Sequence, residues 1–297
     1  MYAPGPKPRA PSLYDRRCLR VVFLTAAALI GFAANSLLTR GALGAGRLDA
    51  ATFTCIRLLT GALTLAVLAR VRRSGPVVER GSWLSAAELA GYAVFFTLAY
   101  TRIGAGVGAL ILFGSVQVTM IGTGLVRGER PGLVDWVGFG LAIAGLMTFT
   151  LPGASAPDPV GFALMMAAGA CWGAYSLAGR RSRDPLGATA GNFLRASLAG
   201  LIFAAVAFNM WHVTGTGVGL AAASGSLASG VGYTLWYAAL PSLAAWRAAV
   251  LQLVVPLLTA IAAKTMLGEA LSTQLIVAGL LIAAGVGLTI TPAFHRR

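Results

Sequence analysis

Apolar residues fill this chain in long blocks separated by short polar breaks. Uncharged stretches cover Val21–Thr39, Ile103–Val126, Trp136–Pro157, Pro159–Gly179 and Ala270–His295. Each matches or exceeds the roughly 18–20 residues that cross the hydrocarbon core of a bilayer as a helix. One such run would suit a buried core helix; five in one chain would not. The breaks divide the chain into ten predicted spans, approximately 20–40, 50–70, 82–101, 104–125, 132–151, 158–179, 186–208, 218–240, 243–264 and 271–292. The connections are too short to hold a soluble domain. The pattern predicts an all-α polytopic membrane protein of ten transmembrane helices, with membrane lipid as its surroundings.

Composition supports this. The 297 residues are 57% hydrophobic and 11% charged, with a mean hydropathy of +0.78, whereas soluble domains carry about 25% charged residues. The net charge of +14 would suggest nucleic acid in a soluble protein. Here the basic residues sit in the breaks and act as topology determinants, so no nucleic-acid partner is expected. One set of segments carries Lys7, Arg9, Arg16, Arg17, Arg20, Arg70, Arg72, Arg73, Arg80, Arg127, Arg130, Arg180, Arg181, Arg183, Arg296 and Arg297. The other carries Arg40, Arg47, Arg102 and Lys264. Positive residues stay in the cytoplasm, so both termini are expected there, in a bacterial inner membrane. Residues 1–19, rich in Pro, Lys and Arg, are expected to form a disordered tail. Residues 293–297 form a short cytoplasmic tail, and the first apolar run is taken as a retained helix rather than a cleaved leader. Cys18, Cys55 and Cys171 lack metal or disulfide spacing, and nothing calls for a cofactor.

A repeat organises the spans. Gly128-Glu129 and Gly268-Glu269 stand 140 residues apart. At the same offset Thr119 meets Thr259, Gly145 meets Gly285, Pro152 meets Pro292, Ser36-Leu37 meets Ser176-Leu177, and Arg40 meets Arg180. Two five-span halves follow, 20–152 and 158–292. Five is odd, so the second half enters from the opposite side. This is the inverted repeat of many secondary transporters, which alternate between two related conformations around a central site.

The motifs also resemble a known family. Arg57 and Arg195 in spans two and seven, the two Gly-Glu turns, the Gly-rich helices after them and Pro256 in span nine resemble the EamA-type branch of the drug/metabolite transporter superfamily, over residues 20–292. Ala34-Asn35-Ser36-Leu37-Leu38, Phe113-Gly114-Ser115-Val116-Gln117 and Trp172-Gly173-Ala174-Tyr175-Ser176-Leu177 resemble the YddG-type aromatic amino-acid exporters within it. That resemblance implies export of aromatic or other neutral amino acids and related metabolites. Val116 where the second half has Pro256 departs from a symmetric proline bend.

A carrier needs a mid-membrane cavity whose groups replace the solute's water. Gln117 and Gln252 lie near the centres of spans four and nine; an amide both donates and accepts, which suits a zwitterion. Interhelical bonding is the other use of Gln, and the favoured one for Asn35. Trp172, Tyr175, Tyr233, Trp236 and Phe96 are candidates for an aromatic wall. Arg57 and Arg195 read either as carboxylate hooks or as anchors bonded to backbone carbonyls; their presence in both halves favours anchors. Glu129 and Glu269 are expected to cap helix N-termini. Gly104 and Gly108 allow close helix approach, and Pro241 and Pro256 are candidate hinges around span nine.

Among acids only Glu88 lies inside a span, and no His does. Proton-driven carriers place a titratable group deep in the membrane, so facilitated transport is the expectation. A proton-coupled transporter of drugs or other metabolites is the alternative. The spans hold no paired aspartates, His-Glu motif or Ser-His pair, which excludes the usual intramembrane hydrolases. A receptor or scaffold has no need of inverted halves. The number of copies in the working unit is not set by the sequence, and a monomer is compatible with it.

Overall fold

The computed structural model describes residues 13–44, 46–72, 76, 80–103, 105–150, 157–266 and 273–295. Gly104 and Glu269 lie outside the described residues. Among the described residues there are ten helices and a single isolated bridge, between Leu48 and Val213. The helices are α1 (Leu13–Leu43), α2 (Ala50–Val71), α3 (Trp83–Tyr100), α4 (Ala105–Val126), α5 (Leu133–Thr150), α6 (Pro159–Gly179), α7 (Pro185–Val206), α8 (215–239), α9 (245–266) and α10 (Thr273–His295). The first begins seven residues before the predicted span, so residues 13–19 are helical rather than part of a disordered tail. The last proline of the tail is Pro11, and helix-compatible Leu, Tyr and Arg follow it.

Length and composition alone qualify five segments to cross a membrane: Cys18–Leu43, Ala50–Val71, Pro159–Gly179, Pro185–Val206 and Ala245–Ala262. Three shorter apolar segments lie at Ile111–Val126, Leu133–Thr148 and Thr273–Thr289. Large apolar side chains such as Phe23, Leu63, Val118, Ile202 and Leu280 are exposed on the outside of the bundle, as lipid-facing helices require.

Two helices are interrupted, one where it crosses a neighbour and one at a proline. The middle of α8, Ser224–Val231, is π-helical between α segments Gly215–Ala223 and Gly232–Ala239. It crosses α2 so tightly that a Cβ on Gly225 would lie 2.2 Å from the Arg57 carbonyl oxygen. In α9, Ala245–Gln252 and Val254–Met266 meet at Leu253. Pro256 supplies no N–H, and its ring conflicts with the carbonyl four residues back, that of Gln252. Pro241 is exposed in the 3-10 turn Leu240–Ser242 between α8 and α9, where it ends α8 rather than bending α9.

The packing is pairwise. α5 lies antiparallel on α10, α2 on α7, and α4 on α9; α3 packs on α6 and α7, and α8 on α1 and α2. Small residues set these distances. A Cβ on Gly285 would sit 2.4 Å from the Gly138 carbonyl oxygen, and one on Gly145 2.8 Å from that of Ala278. Gly108 likewise faces Met165 and Tyr100, 3.2 Å from where its Cβ would be. The bundle has two ends. One, the Arg40 face, carries the Arg102–Asp158 ion pair and the Asp49–His212 contact; the other, the Arg180 face, carries the Arg80–Asp184 and Arg180–Glu129 pairs.

Candidate functional site: an aromatic cavity closed at one end

Midway through the bundle, α1, α3, α4, α6, α8 and α9 surround a cavity of about 30 Å³. Its wall is aromatic: Phe32, Tyr92, Phe96, Phe113, Trp172 and Tyr233. The rings brace one another, with centroids 5.3 Å apart for Phe32–Trp172, 5.1 Å for Tyr92–Trp172 and 4.8 Å for Trp172–Tyr233. Asn35, Ser36 and Gln252 supply the polar atoms, and Leu112 and Val255 complete the lining. No charged side chain belongs to that lining.

The polar groups are held by specific bonds. Gln252 Oε1 accepts from Trp172 Nε1 at 2.6 Å, and its amide nitrogen faces Met120 Sδ and the Ala248 carbonyl, each at 3.3 Å. Asn35 Oδ1 accepts from Ser224 Oγ at 2.6 Å, which ties the cavity wall to the π-helical segment of α8. Above, sharing Ser36, Leu112, Phe113 and Val255, a second space of about 70 Å³ continues past Tyr100, Pro256 and Thr259 to Arg40, which is exposed at its face of the bundle.

Toward the Arg180 face the path is shut by two layers. The first is Tyr175 and Tyr237, rings 5.3 Å apart; Tyr237 lies against the end of α6, where a Cβ on Gly179 would be 2.1 Å from its ring. The second is Glu129. Gly128 stands at φ +85° and ends α4 in a Schellman motif, with Glu129 N–H bonded to the Gly124 carbonyl and Gly128 N–H to that of Leu125. This turn aims Glu129 across the bundle. Its carboxylate accepts from Arg180 at 2.7 Å and from the backbone N–H of Ala245 at 3.0 Å, with Trp246 N–H at 3.4 Å. Burial pushes this carboxyl up, but the Ala245 N–H, the Arg180 guanidinium and the Trp246 N–H outweigh it and hold it below its ordinary value. Glu129 therefore caps the first turn of α9, where Ala244 offers no side-chain cap, rather than the helix that follows it in sequence. In α5 that task falls to Asp135, which accepts from Gly132 N–H.

Of the eight residues expected to meet solute, Asn35, Phe96, Trp172, Tyr233 and Gln252 line the cavity. The other three stand behind it. Gln117 donates to the Ala249 carbonyl at 2.8 Å and joins α4 to α9; Tyr175 lies in the closing layer; Trp236 is fully buried behind Phe32, 5.6 Å between ring centroids. Phe32, Tyr92 and Phe113 belong to the wall and were not anticipated. Phe32 precedes Asn35 by three positions, and Tyr92 and Phe113 precede Phe96 and Gln117 by four, so helical spacing from the anticipated residues would have found all three. The two arginines differ. Arg195 is a part-buried anchor that donates to the carbonyls of Arg80 and Gly191, with its guanidinium over the Trp83 ring. Arg57 is fully buried and bonds hydroxyls instead, Ser229 Oγ at 3.0 Å and Tyr233 Oη at 2.8 Å.

No cluster of His, Cys, Asp or Glu that could hold a metal occurs among the described residues. The model of the EamA-like transporter family matches residues 159–291. A Pseudomonas aeruginosa protein of uncharacterised function, PA1977, is 47% identical over 286 residues, 95% of this chain and 97% of the relative. The threonine/homoserine exporter RhtA of Escherichia coli K12 is 32% identical over 214 residues, 69% of each chain. A solved crystal structure shares the fold at a TM-score of 0.78 and 19% identity, covering 93% of this chain and 98% of its own. With its apolar helices and these relatives, the chain is a multi-pass membrane protein and belongs to the EamA-like transporter family.

Proposed function

We propose that this protein exports neutral amino acids across a bacterial inner membrane by alternating access. The observation that carries this reading is the cavity: neutral, ringed by aromatics, equipped with two amides and a hydroxyl, and sealed toward one end only. An amide and a hydroxyl can exchange hydrogen bonds with both ends of a zwitterion, while the rings accept its side chain. A lining without carboxylates disfavours cationic drugs. RhtA, a threonine/homoserine exporter, supports a small neutral amino acid. The six-ring wall supports the second reading, aromatic amino acids.

The orientation follows from charge. Arg70, Arg80, Arg127, Arg130, Arg180, Arg181 and Arg183 gather at the Arg180 face, which we assign to the cytoplasm. The cavity is then closed to the cytoplasm and continued toward the outside. Inverted five-helix halves are supported by the packing, which maps onto itself when the halves exchange. The pairs α5–α10, α2–α7 and α4–α9 map onto themselves, α3–α6 corresponds to α8–α1, and α4–α6 to α9–α1. Exchange would open the cytoplasmic side and close the other. At about 30 Å³ the central cavity has room for about two or three waters, at ~10–15 Å³ for each, far less than an amino acid needs, so loading one requires that movement.

Cells fed threonine- or phenylalanine-containing dipeptides accumulate the free amino acid and test the reading directly. Expression of the protein is expected to lower the internal pool and raise the external one. Unchanged pools of both amino acids, with the protein present in the membrane, would refute it.

A further inference from the structure

Arg57 is a costly side chain to bury. A guanidinium in the membrane interior needs water, a counter-ion or a full set of hydrogen-bond acceptors. Arg57 is 1% exposed. Its partners are two neutral hydroxyls, Ser229 Oγ and Tyr233 Oη, and the face of the Tyr92 ring, 5.4 Å from the guanidinium carbon. The ion pairs among the described residues are Arg80–Asp184, Arg102–Asp158 and Arg180–Glu129, and none includes Arg57. Its Nη1 has no hydrogen-bond partner among them.

A strut between α2 and α8 would not require this arrangement. Arg195 shows what an anchor looks like in this bundle: part-buried near the Arg180 face and bonded to backbone carbonyls. Arg57 is placed differently. Its helix gives the cavity no wall residue, yet the guanidinium ends against Tyr92 and Tyr233, which both line the cavity. One side-chain layer separates an uncompensated cation with a free donor from a chamber that carries no charge. The π-helical turn of α8 brings Ser229 to the guanidinium and Ser224 to Asn35 in the cavity wall, so one irregular segment serves both. Such segments recur at functional sites.

We propose that Arg57 is the carboxylate subsite of the transport path. When Tyr92 and Tyr233 shift during the conformational exchange, the solute carboxylate takes the Nη1 donor and supplies the missing counter-charge, leaving its ammonium and side chain to Asn35, Gln252 and the rings. This rests on the amino-acid reading and extends it to the chemical class recognised: the free α-carboxylate, not the amide or amine.

The test compares wild type with Arg57→Gln and Arg57→Lys in competition against labelled threonine or phenylalanine, and in ligand-induced shifts of melting temperature in detergent. Wild type is expected to prefer the amino acid over its amide by about 10- to 100-fold, the range of a lost charged hydrogen bond. Arg57→Gln is expected to erase that preference by weakening the acid alone, and Arg57→Lys to keep part of it. If wild type moves no amino acid, the functional reading fails, and the melting assay with acetate, propionate and pyruvate still decides the subsite: stabilisation of wild type and not of Arg57→Gln supports it. An acid-to-amide ratio unchanged in folded Arg57→Gln, stabilisation by carboxylates that survives the substitution, or stabilisation by chloride and not by carboxylates overturns it.

Discussion

Glu129 shows how much one side chain does here. It neutralises Arg180, caps α9 from another part of the chain and is placed by a left-handed glycine. Its lowered pKa means that the folded protein binds the proton less tightly than the unfolded chain. The stabilisation it gives is therefore present above the ordinary glutamate range and is lost as pH falls through the folded value. Glu129→Gln should cost about 1–2 kcal/mol at neutral pH, toward the low end of the range for hydrogen bonds to a charged group, read as a lower melting temperature, and the gap to wild type should shrink in acid. A gap independent of pH would contradict the ionised lock. Gln252→Leu removes the acceptor of the Trp172 indole and should lower transport about tenfold or more, with Trp172→Phe similar and Trp172→Ala worse. Polar or aromatic letters inside apolar spans made Asn35, Phe96, Trp172, Tyr233 and Gln252 legible in the sequence. Phe32, Tyr92 and Phe113 carried the same aromatic signal, and only their helical spacing to Asn35, Phe96 and Gln117 would have singled them out from the other rings in the spans. Gln117 carried the same signal as Gln252, but which helix face a residue occupies decides its neighbours, and an apolar helix gives a weak moment by which to read that face. The two arginines were hidden for the same reason: two equivalent letters, one against backbone carbonyls and one buried among hydroxyls.

At the scale of elements, the polar breaks fixed where helices end, and the Gly-Glu turn announced a stop. The irregular segments were less legible. The π-helical stretch of α8 coincides with the crossing of α2 at Gly225, a tertiary contact with no local signature. Pro256 did announce the break in α9, while Pro241 marks the turn between helices instead. Pro256→Ala restores an N–H and relieves the conflict with the Gln252 carbonyl. It should hold or raise the melting temperature while slowing turnover, because the two halves of α9 lose their joint; unchanged turnover would show that the break is not a hinge. Gly285→Leu pushes a side chain onto the Gly138 carbonyl of α5 and should cost at least about 1–3 kcal/mol, seen in thermal melting. An exposed glycine such as Gly140, with open space where its Cβ would lie, serves as the control and should tolerate the same change.

At the scale of the whole molecule, three features stand together: an aromatic cavity in the middle of the bundle, a closure toward the Arg180 face built from Tyr175, Tyr237 and the Glu129–Arg180 pair, and a pairwise packing that we propose reflects two exchanging halves. The membrane character was legible in the hydropathy, because it is a property of long stretches that survives local irregularity; the two halves rest on the repeat offset and remain part of the proposal. The cavity depends on six helices meeting and was legible only in fragments. The most direct measurement is the flux of labelled threonine and phenylalanine through proteoliposomes containing the purified protein, for wild type and Trp172→Ala. Saturable flux of a neutral amino acid is expected in wild type, proceeding without an imposed pH gradient and strongly reduced in the variant. Absence of flux for both solutes with folded wild-type protein, or equal flux through Trp172→Ala, would contradict it.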